Sequence, residues 1–176
     1  MSTPAIDLRA LAGAADWAAF EALLRRYAAT DLDQPATSSI WNDLADLPAR
    51  YGAPTGGVVL AWSGAETVGC GAFAATREAG LCEVKRFYLL PAWRGRGLGR
   101  ALAVRLIEEA RGIGYRSLRL DTGPLQREAR DLYASLGFVP IAPYGDHDAD
   151  MRDFLKFMEL DLHGLGKADP DLLRSA

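Results

Sequence analysis

The spacing of hydrophobic residues changes character near residue 57 of this chain. Before that point it is helical, with apolar side chains recurring every three or four positions. One such stretch follows Asp16, which is expected to cap its helix, and a second is expected to stop at Pro48. A weaker strand signal over Ile6 to Leu8 precedes both. The apolar positions are Trp17, Phe20, Leu24 and Tyr27 in the first stretch and Ile40, Trp41, Leu44 and Leu47 in the second.

From residue 57 onward, short apolar runs separated by turn residues predict strands. Val58 to Trp62 and Thr67 to Thr76 flank a turn and predict a β-hairpin. Another turn at Gly80 leads into a third run, Cys82 to Leu90. Three antiparallel strands are therefore expected before residue 91.

Helical and strand patterns alternate in the second half of the chain. A helix from residue 98 is expected to end at Gly112 and Gly114. Ser117 to Leu120 then predicts a strand parallel to the one that ends near residue 90, reached by a right-handed crossover. A second helix ends at Gly137, and two antiparallel strands follow over residues 138–141 and 153–162. The apolar helix positions are Leu98, Leu102, Ala103, Leu106, Ile107 and Ala110, then Leu125, Ala129, Leu132, Tyr133 and Leu136.

Composition is typical of one globular domain, predicted over residues 1–163 with a tail from 164 to 176. Of the 176 residues 49% are hydrophobic, but no run approaches the roughly 18 apolar residues of a membrane span. With no secretory signal pattern at the start, we expect a cytoplasmic protein without a membrane partner. The net charge of −3 argues against nucleic-acid binding. The two cysteines and two histidines lack metal-ligand spacing, so neither a metal nor a disulfide framework is expected.

A glycine- and arginine-rich loop, residues 93–100, joins the third strand to the following helix. The first amides of a helix lack partners within it, the helix dipole adds positive charge there, and glycine admits an anion close to the backbone. The loop therefore predicts a phosphate site. It is not a P-loop, because no Lys-Ser or Lys-Thr follows the glycines, and its glycine spacing does not fit the dinucleotide fingerprint.

Read as Arg94-x-x-Gly97-x-Gly99, this loop resembles the acyl-CoA-binding signature of the GNAT superfamily of N-acetyltransferases. The likeness continues through residues 118–122 and 129–138, which are similar to the second block of the family, and covers roughly residues 56–162. It implies an α/β (α+β) GNAT fold: a mixed sheet of about six to seven strands, with helices on both faces, splayed at the acyl-CoA site.

The resemblance also implies how acetyl-CoA is held as a co-substrate. The loop amides bind its pyrophosphate, its pantetheine arm pairs with the strand at Phe87 to Leu90, and the N–H near Leu89 points at the thioester oxygen. Gln126 stands where the family often has an asparagine that touches the cofactor. The cofactor-binding residues implied are Phe87, Tyr88, Leu89, Arg94, Gly95, Arg96, Gly97, Leu98, Gly99, Arg100 and Gln126.

Two catalytic residues follow from the same resemblance. Glu83 lies eleven residues before Arg94, the interval at which protein-acetylating members carry their general base. The alternative is a carboxylate paired with a cation such as Lys85. Tyr133 matches the tyrosine that protonates the departing CoA sulfur, and an ordinary phenol pKa near 10 suits that role. The alternative is a core aromatic on its helix.

Together these features predict an acetyl-CoA-dependent N-acetyltransferase. It passes the acetyl group directly to a primary amine of a small molecule or protein, without a metal or a covalent intermediate. One alternative is a non-catalytic acyl-CoA-binding sensor or partner subunit. Another is a nucleotide-binding domain with Asp121 on a ribose, which the glycine spacing and three antiparallel strands disfavour. Pairing into a homodimer is left open by the exposed apolar edges common in this architecture.

Overall fold

The computed structural model describes residues 5–30, 39–123, 126–145 and 149–164. Its strands are β1 (Ile6–Ala10), β2 (Gly57–Ser63), β3 (Glu66–Ala75), β4 (Leu81–Leu89), β5 (Ser117–Thr122), β6 (Val139–Pro140) and β7 (Lys156–Asp161). Its helices are α1 (Ala14–Thr30), α2 (Ser39–Ala45), α3 (Leu47–Tyr51), α4 (Leu98–Ile113), α5 (Arg127–Ser135) and α6 (Ala149–Phe154). The seven strands of these ranges form one sheet, ordered β1-β2-β3-β4-β5-β7-β6.

The sheet is mixed and open, and helices cover both of its faces. Every strand pairing is antiparallel except that of β4 with β5. On one face α4 lies so close that a Cβ added to Gly71 would meet Leu106 at 2.4 Å. On the other face Tyr88 stacks on Tyr27 of α1, with ring centroids 4.6 Å apart. The predicted fold class is confirmed, and β2, β3 and β4 are the three antiparallel strands expected ahead of the glycine loop. The weaker strand signal near Ile6 is β1, which pairs antiparallel with β2 and brings the number to four.

Two predicted helix boundaries in the first half are wrong. Asp16 lies inside the first turn of α1, where its carboxylate accepts the N–H of Ala12 at 3.0 Å. Pro48 does not stop a helix but sits in the first turn of α3, because a helix start tolerates the missing N–H of proline. Asp46 caps α3 by accepting the N–H of Ala49 at 3.0 Å.

The second half carries two more corrections. Gly112 lies within α4, and Gly114 alone ends the helix with a left-handed φ of 102°. The final strand begins at Lys156 rather than 153, because residues 149–154 form α6. The predicted strand at 138–141 has only two residues, Val139 and Pro140, and it pairs antiparallel with β7 as expected. Leu125 and residues 165–176 lie outside the described residues.

The two parallel strands separate soon after they meet. Their ladder has three residue pairs, the last being Glu83 with Arg119, while β4 continues to residue 89. A bulge interrupts β4 just beyond: its pairing with β3 shifts near Gly71, and Arg86 takes a φ of 56°. Such bulges bend a strand locally. The opening between β4 residues 84–89 and β5 is called the β4–β5 opening below, and it is the splay that the sequence predicts.

Candidate active site

The glycine loop lies at the wide end of the β4–β5 opening and has the geometry of an anion site. Gly95 and Gly97 are exposed with φ of 71° and 78°, and a Cβ added to either would meet no atom within 4 Å. Ala101 makes the first backbone bond into the helix, to the carbonyl of Gly97 at 3.2 Å. The amides of residues 98–100 therefore lack acceptors within α4. A Cβ added to Gly99 would meet the Leu89 side chain at 3.5 Å, an ordinary contact distance.

The three arginines of the loop have different surroundings. Arg94 Nε donates to the carbonyl of Leu89 at 3.0 Å, which ties the loop to the end of β4. Arg96 lies 5.6 Å from the ring centroid of Trp93. Arg100 donates to Ser135 Oγ at 2.9 Å and so links α4 to α5. The contact of these three arginines with a cofactor stays a prediction.

The last residues of β4 present backbone groups to the opening. The N–H of Leu90 donates to Val68 of β3 at 3.0 Å. Successive residues of a strand direct these groups to opposite sides, so the N–H of Leu89 points away from β3 and into the opening. This is the direction that the predicted thioester donor requires. The side chain of Phe87 points to the α4 face and packs edge-on against Tyr133.

Four side chains meet at the narrow end of the opening, and we call them the Glu83 cluster: Glu83, Lys85, Asp121 and Tyr144. Lys85 Nζ lies 2.8 Å from Glu83 Oε1 and 2.9 Å from Asp121 Oδ2. Tyr144 donates its hydroxyl to Glu83 Oε1 at 2.8 Å. Burial opposes the charge on Lys85, but Asp121 and then Glu83 outweigh it and raise its pKa.

Both contacts to Glu83 fall on the same oxygen. Within the described ranges, Glu83 Oε2 has no hydrogen-bond partner. The pairing with Lys85 that the sequence offered as an alternative is thus present, yet one carboxylate oxygen remains available to a proton. The role of Glu83 as general base stays a prediction. Tyr144 was missed because it lies 61 residues away, in a connection without a recognisable motif.

Tyr133 is a buried residue of α5 on the opposite face of the opening, the face covered by α4. Its ring packs against Phe138 at 5.4 Å between centroids, and its side chain lines a small apolar cavity with Val84 and Leu118. Burial raises the pKa of its phenol, and the charges of Tyr27 and Asp121 add to the effect. No residue that the structure describes hydrogen-bonds its hydroxyl. Tyr133 is therefore a core aromatic that still carries an uncommitted proton.

Gln126 is held locally at the start of α5. Its Oε1 accepts the N–H of Gly123 at 3.2 Å, and the residue is exposed. It does not contact the Glu83 cluster, and its cofactor contact stays a prediction. No metal-ligating group of three or more His, Cys, Asp or Glu occurs in the described part of the chain. Nor is any described helix long and apolar enough to cross a membrane.

A second buried polar group fixes the bulge of β4 and was also missed. Arg86 Nε lies 2.7 Å from Asp43 Oδ2, and its Nη2 donates to Ser39 Oγ at 3.0 Å. Tyr51 donates its hydroxyl to the same Asp43 oxygen. These contacts hold α2 and α3 against β4 on the face that carries the Glu83 cluster.

Comparison with known proteins gives the family. The sequence model of the Acetyltransferase (GNAT) family matches residues 14–138. The chain belongs to the GNAT family. The predicted resemblance and fold are therefore confirmed, and the two sequence blocks that suggested them lie mostly within the matched range.

Among curated relatives, this GNAT chain is similar to the IAA acetyltransferase of Azospirillum brasilense, 42% identical over 83 residues, which are 47% of this chain and 54% of that protein. It is 41% identical over 78 residues to the N-acetyltransferase YjgM of Escherichia coli, covering 43% of this chain and 47% of YjgM. The chain spans about half the length of these two relatives.

Solved GNAT structures cover nearly the whole chain. An acyl-CoA N-acyltransferase from Klebsiella pneumoniae has a TM-score of 0.63 and 29% identity, with 89% of this chain and 97% of that chain covered. The acetyltransferase yncA of Salmonella typhimurium, solved with its cofactor acetyl-CoA, has a TM-score of 0.67 and 26% identity, covering 90% and 94%.

Proposed function

We propose that this chain is an acetyl-CoA-dependent N-acetyltransferase that transfers the acetyl group directly to a primary amine. The observation that carries the proposal is the β4–β5 opening, which has an anion-binding loop at its wide end and a fixed carboxylate at its narrow end. The donor arm lies along the exposed edge of β4, and the amine approaches from the face that carries the Glu83 cluster. Acetyl-CoA supplies the activated thioester. Glu83, the N–H of Leu89 and Tyr133 supply the base, the oxyanion donor and the acid.

The acceptor amine must lose a proton before it attacks. Glu83 Oε2 is the available oxygen at the opening, and it takes that proton directly or through one water. The amine nitrogen then forms a bond to the thioester carbonyl carbon while the N–H of Leu89 stabilises the developing oxyanion. One such donor is worth about 10² to 10³ in rate.

Tyr133 completes the proton balance. When the carbon–sulfur bond breaks, the departing thiolate takes the phenolic proton and leaves as the CoA thiol. The acylated nitrogen loses its remaining extra proton through water, which restores the phenol of Tyr133, and Glu83 releases its proton to solvent before the next turnover. The phenol is protonated at neutral pH, as a general acid requires, while burial raises its pKa and so makes it a weaker proton donor. The burial of its ring holds the hydroxyl in place without using it for packing contacts.

One observation favours a second candidate. Lys85 and Tyr144 both engage Glu83, an arrangement that also suits a GNAT domain that binds acyl-CoA without turning it over.

The test is amine-dependent release of CoA thiol from acetyl-CoA across a broad panel of primary amines, with mass spectrometry of the products. We expect turnover in the wild type and a loss of about 10² or more in Glu83→Gln, with acetyl-CoA affinity by calorimetry unchanged. Glu108→Gln on the exposed side of α4 is the matched control and keeps wild-type turnover. Binding without turnover would favour the sensor, and no binding at all would overturn both candidates.

A further inference from the structure

We propose that Lys85 is a positioning residue for the transfer reaction, acting through Glu83 and anchored by Asp121. The inference rests on the proposed function, because it gives Lys85 a task only if Glu83 accepts the amine proton. The task is to hold the Glu83 carboxylate ionised, with Oε1 turned away and Oε2 presented to the amine.

The location of Lys85 follows from the ladder between the parallel strands. The last paired residues are Glu83 and Arg119, and Lys85 and Asp121 lie two positions further along each strand. They would lie opposite each other, two steps beyond the last pair, if the strands stayed together. Instead the Lys85 ammonium bridges the diverging strands, 2.9 Å from the Asp121 carboxylate. A side-chain ion pair thus replaces backbone pairing at the point where the opening begins.

Among the described residues, one ammonium, that of Lys85, is paired with both carboxylates of the Glu83 cluster. Glu83 and Asp121 share it, and their side chains are only 14% and 20% exposed. Loss of the ammonium would leave two partly buried carboxylates without the counter-charge that they share, a setting that disfavours the ionised form of both. A protonated Glu83 cannot serve as a base.

The other charged groups around the cluster do not replace Lys85. Arg119 lies over the ring of Tyr144, but its guanidinium pairs with Glu159 and Glu78. On the neighbouring position of β4, Arg86 pairs with Asp43. Tyr144 contributes a neutral hydroxyl to Glu83.

The experiment compares the pH dependence of kcat/KM in four proteins: wild type, Lys85→Met, Lys85→Arg and Asp121→Asn. In Lys85→Met we expect kcat/KM at pH 7 to fall by about 10-fold or more, and the acid limb to move toward higher pH by about one unit. Lys85→Arg restores most of the activity because it keeps the charge. We expect Asp121→Asn to move the acid limb toward lower pH, because it removes the carboxylate that competes with Glu83 for the Lys85 ammonium.

Opposite shifts in two variants of one ion pair cannot come from a merely structural role. Acetyl-CoA affinity by calorimetry, expected within about twofold of the wild type, checks that each variant is folded with an intact cofactor site. If Glu83→Gln abolishes turnover while neither Lys85→Met nor Asp121→Asn moves the acid limb, the role of Lys85 is wrong and the proposed function stands. If the wild type shows no amine-dependent turnover, the proposed function fails, and the role of Lys85 fails with it.

Discussion

Arg86 and Asp43 form a partly buried ion pair, 2.7 Å between Nε and Oδ2, that joins the bulge of β4 to helix α2. The two side chains are 12% and 13% exposed. The pair also holds Arg86 at a φ of 56°, a left-handed conformation that non-glycine residues seldom adopt. The helices on this face and the bend of β4 are therefore fixed by the same contact.

The first prediction concerns this ion pair. Asp43→Asn leaves the Arg86 charge buried without its counterion, so the free energy of unfolding falls by about 3 kcal/mol. Glu21→Gln, which removes the exposed pair with Arg25 on α1, is the control and costs at most about 0.5 kcal/mol. Urea unfolding of both variants makes the comparison. Equal losses would mean that the bulge does not depend on Asp43.

The second prediction concerns the glycine loop. Gly97→Glu places a carboxylate where the cofactor phosphates approach, so acetyl-CoA affinity falls by at least about 100-fold in calorimetry. Gly97→Ala carries the same strain at a φ of 78° without the charge and loses less affinity. Gly112→Glu adds the same charge at an exposed position late in α4, and it binds like the wild type. Normal binding by Gly97→Glu would remove the loop from the cofactor site.

The third prediction separates the two roles open to Tyr133. Because no described residue bonds its hydroxyl, Tyr133→Phe keeps the packing against Phe87 and Phe138. We expect kcat to fall by about 10²-fold, with the unfolding free energy and acetyl-CoA affinity unchanged. Steady-state kinetics with the best amine of the panel measure the change. Full activity in this variant would leave Tyr133 as a packing residue only.

The fourth prediction is a loss of stability in alkaline solution. Burial raises the pKa of the Cys82 thiol to about 12, and it raises that of Cys70 as well. The unfolded chain therefore releases these protons first, so the stabilisation is complete below about pH 8.5 and declines as the pH rises toward the folded values. The buried phenols of Tyr51, Tyr133 and Tyr144 act in the same direction above about pH 10.

Urea midpoints at pH 7.5 and pH 10 test this expectation, and the midpoint at pH 10 is expected to be clearly lower. A Cys70→Ala/Cys82→Ala variant should lose less of its own stability between the two values. A midpoint that does not change with pH would contradict the burial of these groups.

Local patterns predicted the sheet and the loop well because both depend on short-range signals. Short apolar runs bounded by turn residues specify β2, β3 and β4, and glycines at 95, 97 and 114 occupy the left-handed positions that they favour. Pro48 shows the limit of such signals. A proline can follow the end of one helix or lie in the first turn of the next. Here the capping contact of Asp46 begins α3 and places Pro48 in its first turn.

The polar contacts of the site were harder to predict because they join distant segments. Tyr144 reaches Glu83 across 61 residues, and Arg86 reaches Ser39 across 47. No spacing rule connects such positions, since the sheet topology alone brings them together. The sequence indicates that Lys85 is a cation near Glu83. Its second partner, Asp121, follows only from the register of β4 against β5, which brings the two residues together.

The short ladder between β4 and β5 has a mechanical consequence. The sheet has two parts, the four strands β1 to β4 and the three strands β5, β7 and β6. Only three residue pairs, between β4 and β5, join the two parts. Removing one backbone hydrogen bond between β4 and β5 therefore weakens the sheet more than removing one from a longer ladder. A molecule bound in the opening contacts both parts of the sheet. We therefore expect the sheet to be more flexible without a bound molecule, with the flexibility concentrated next to the candidate active site.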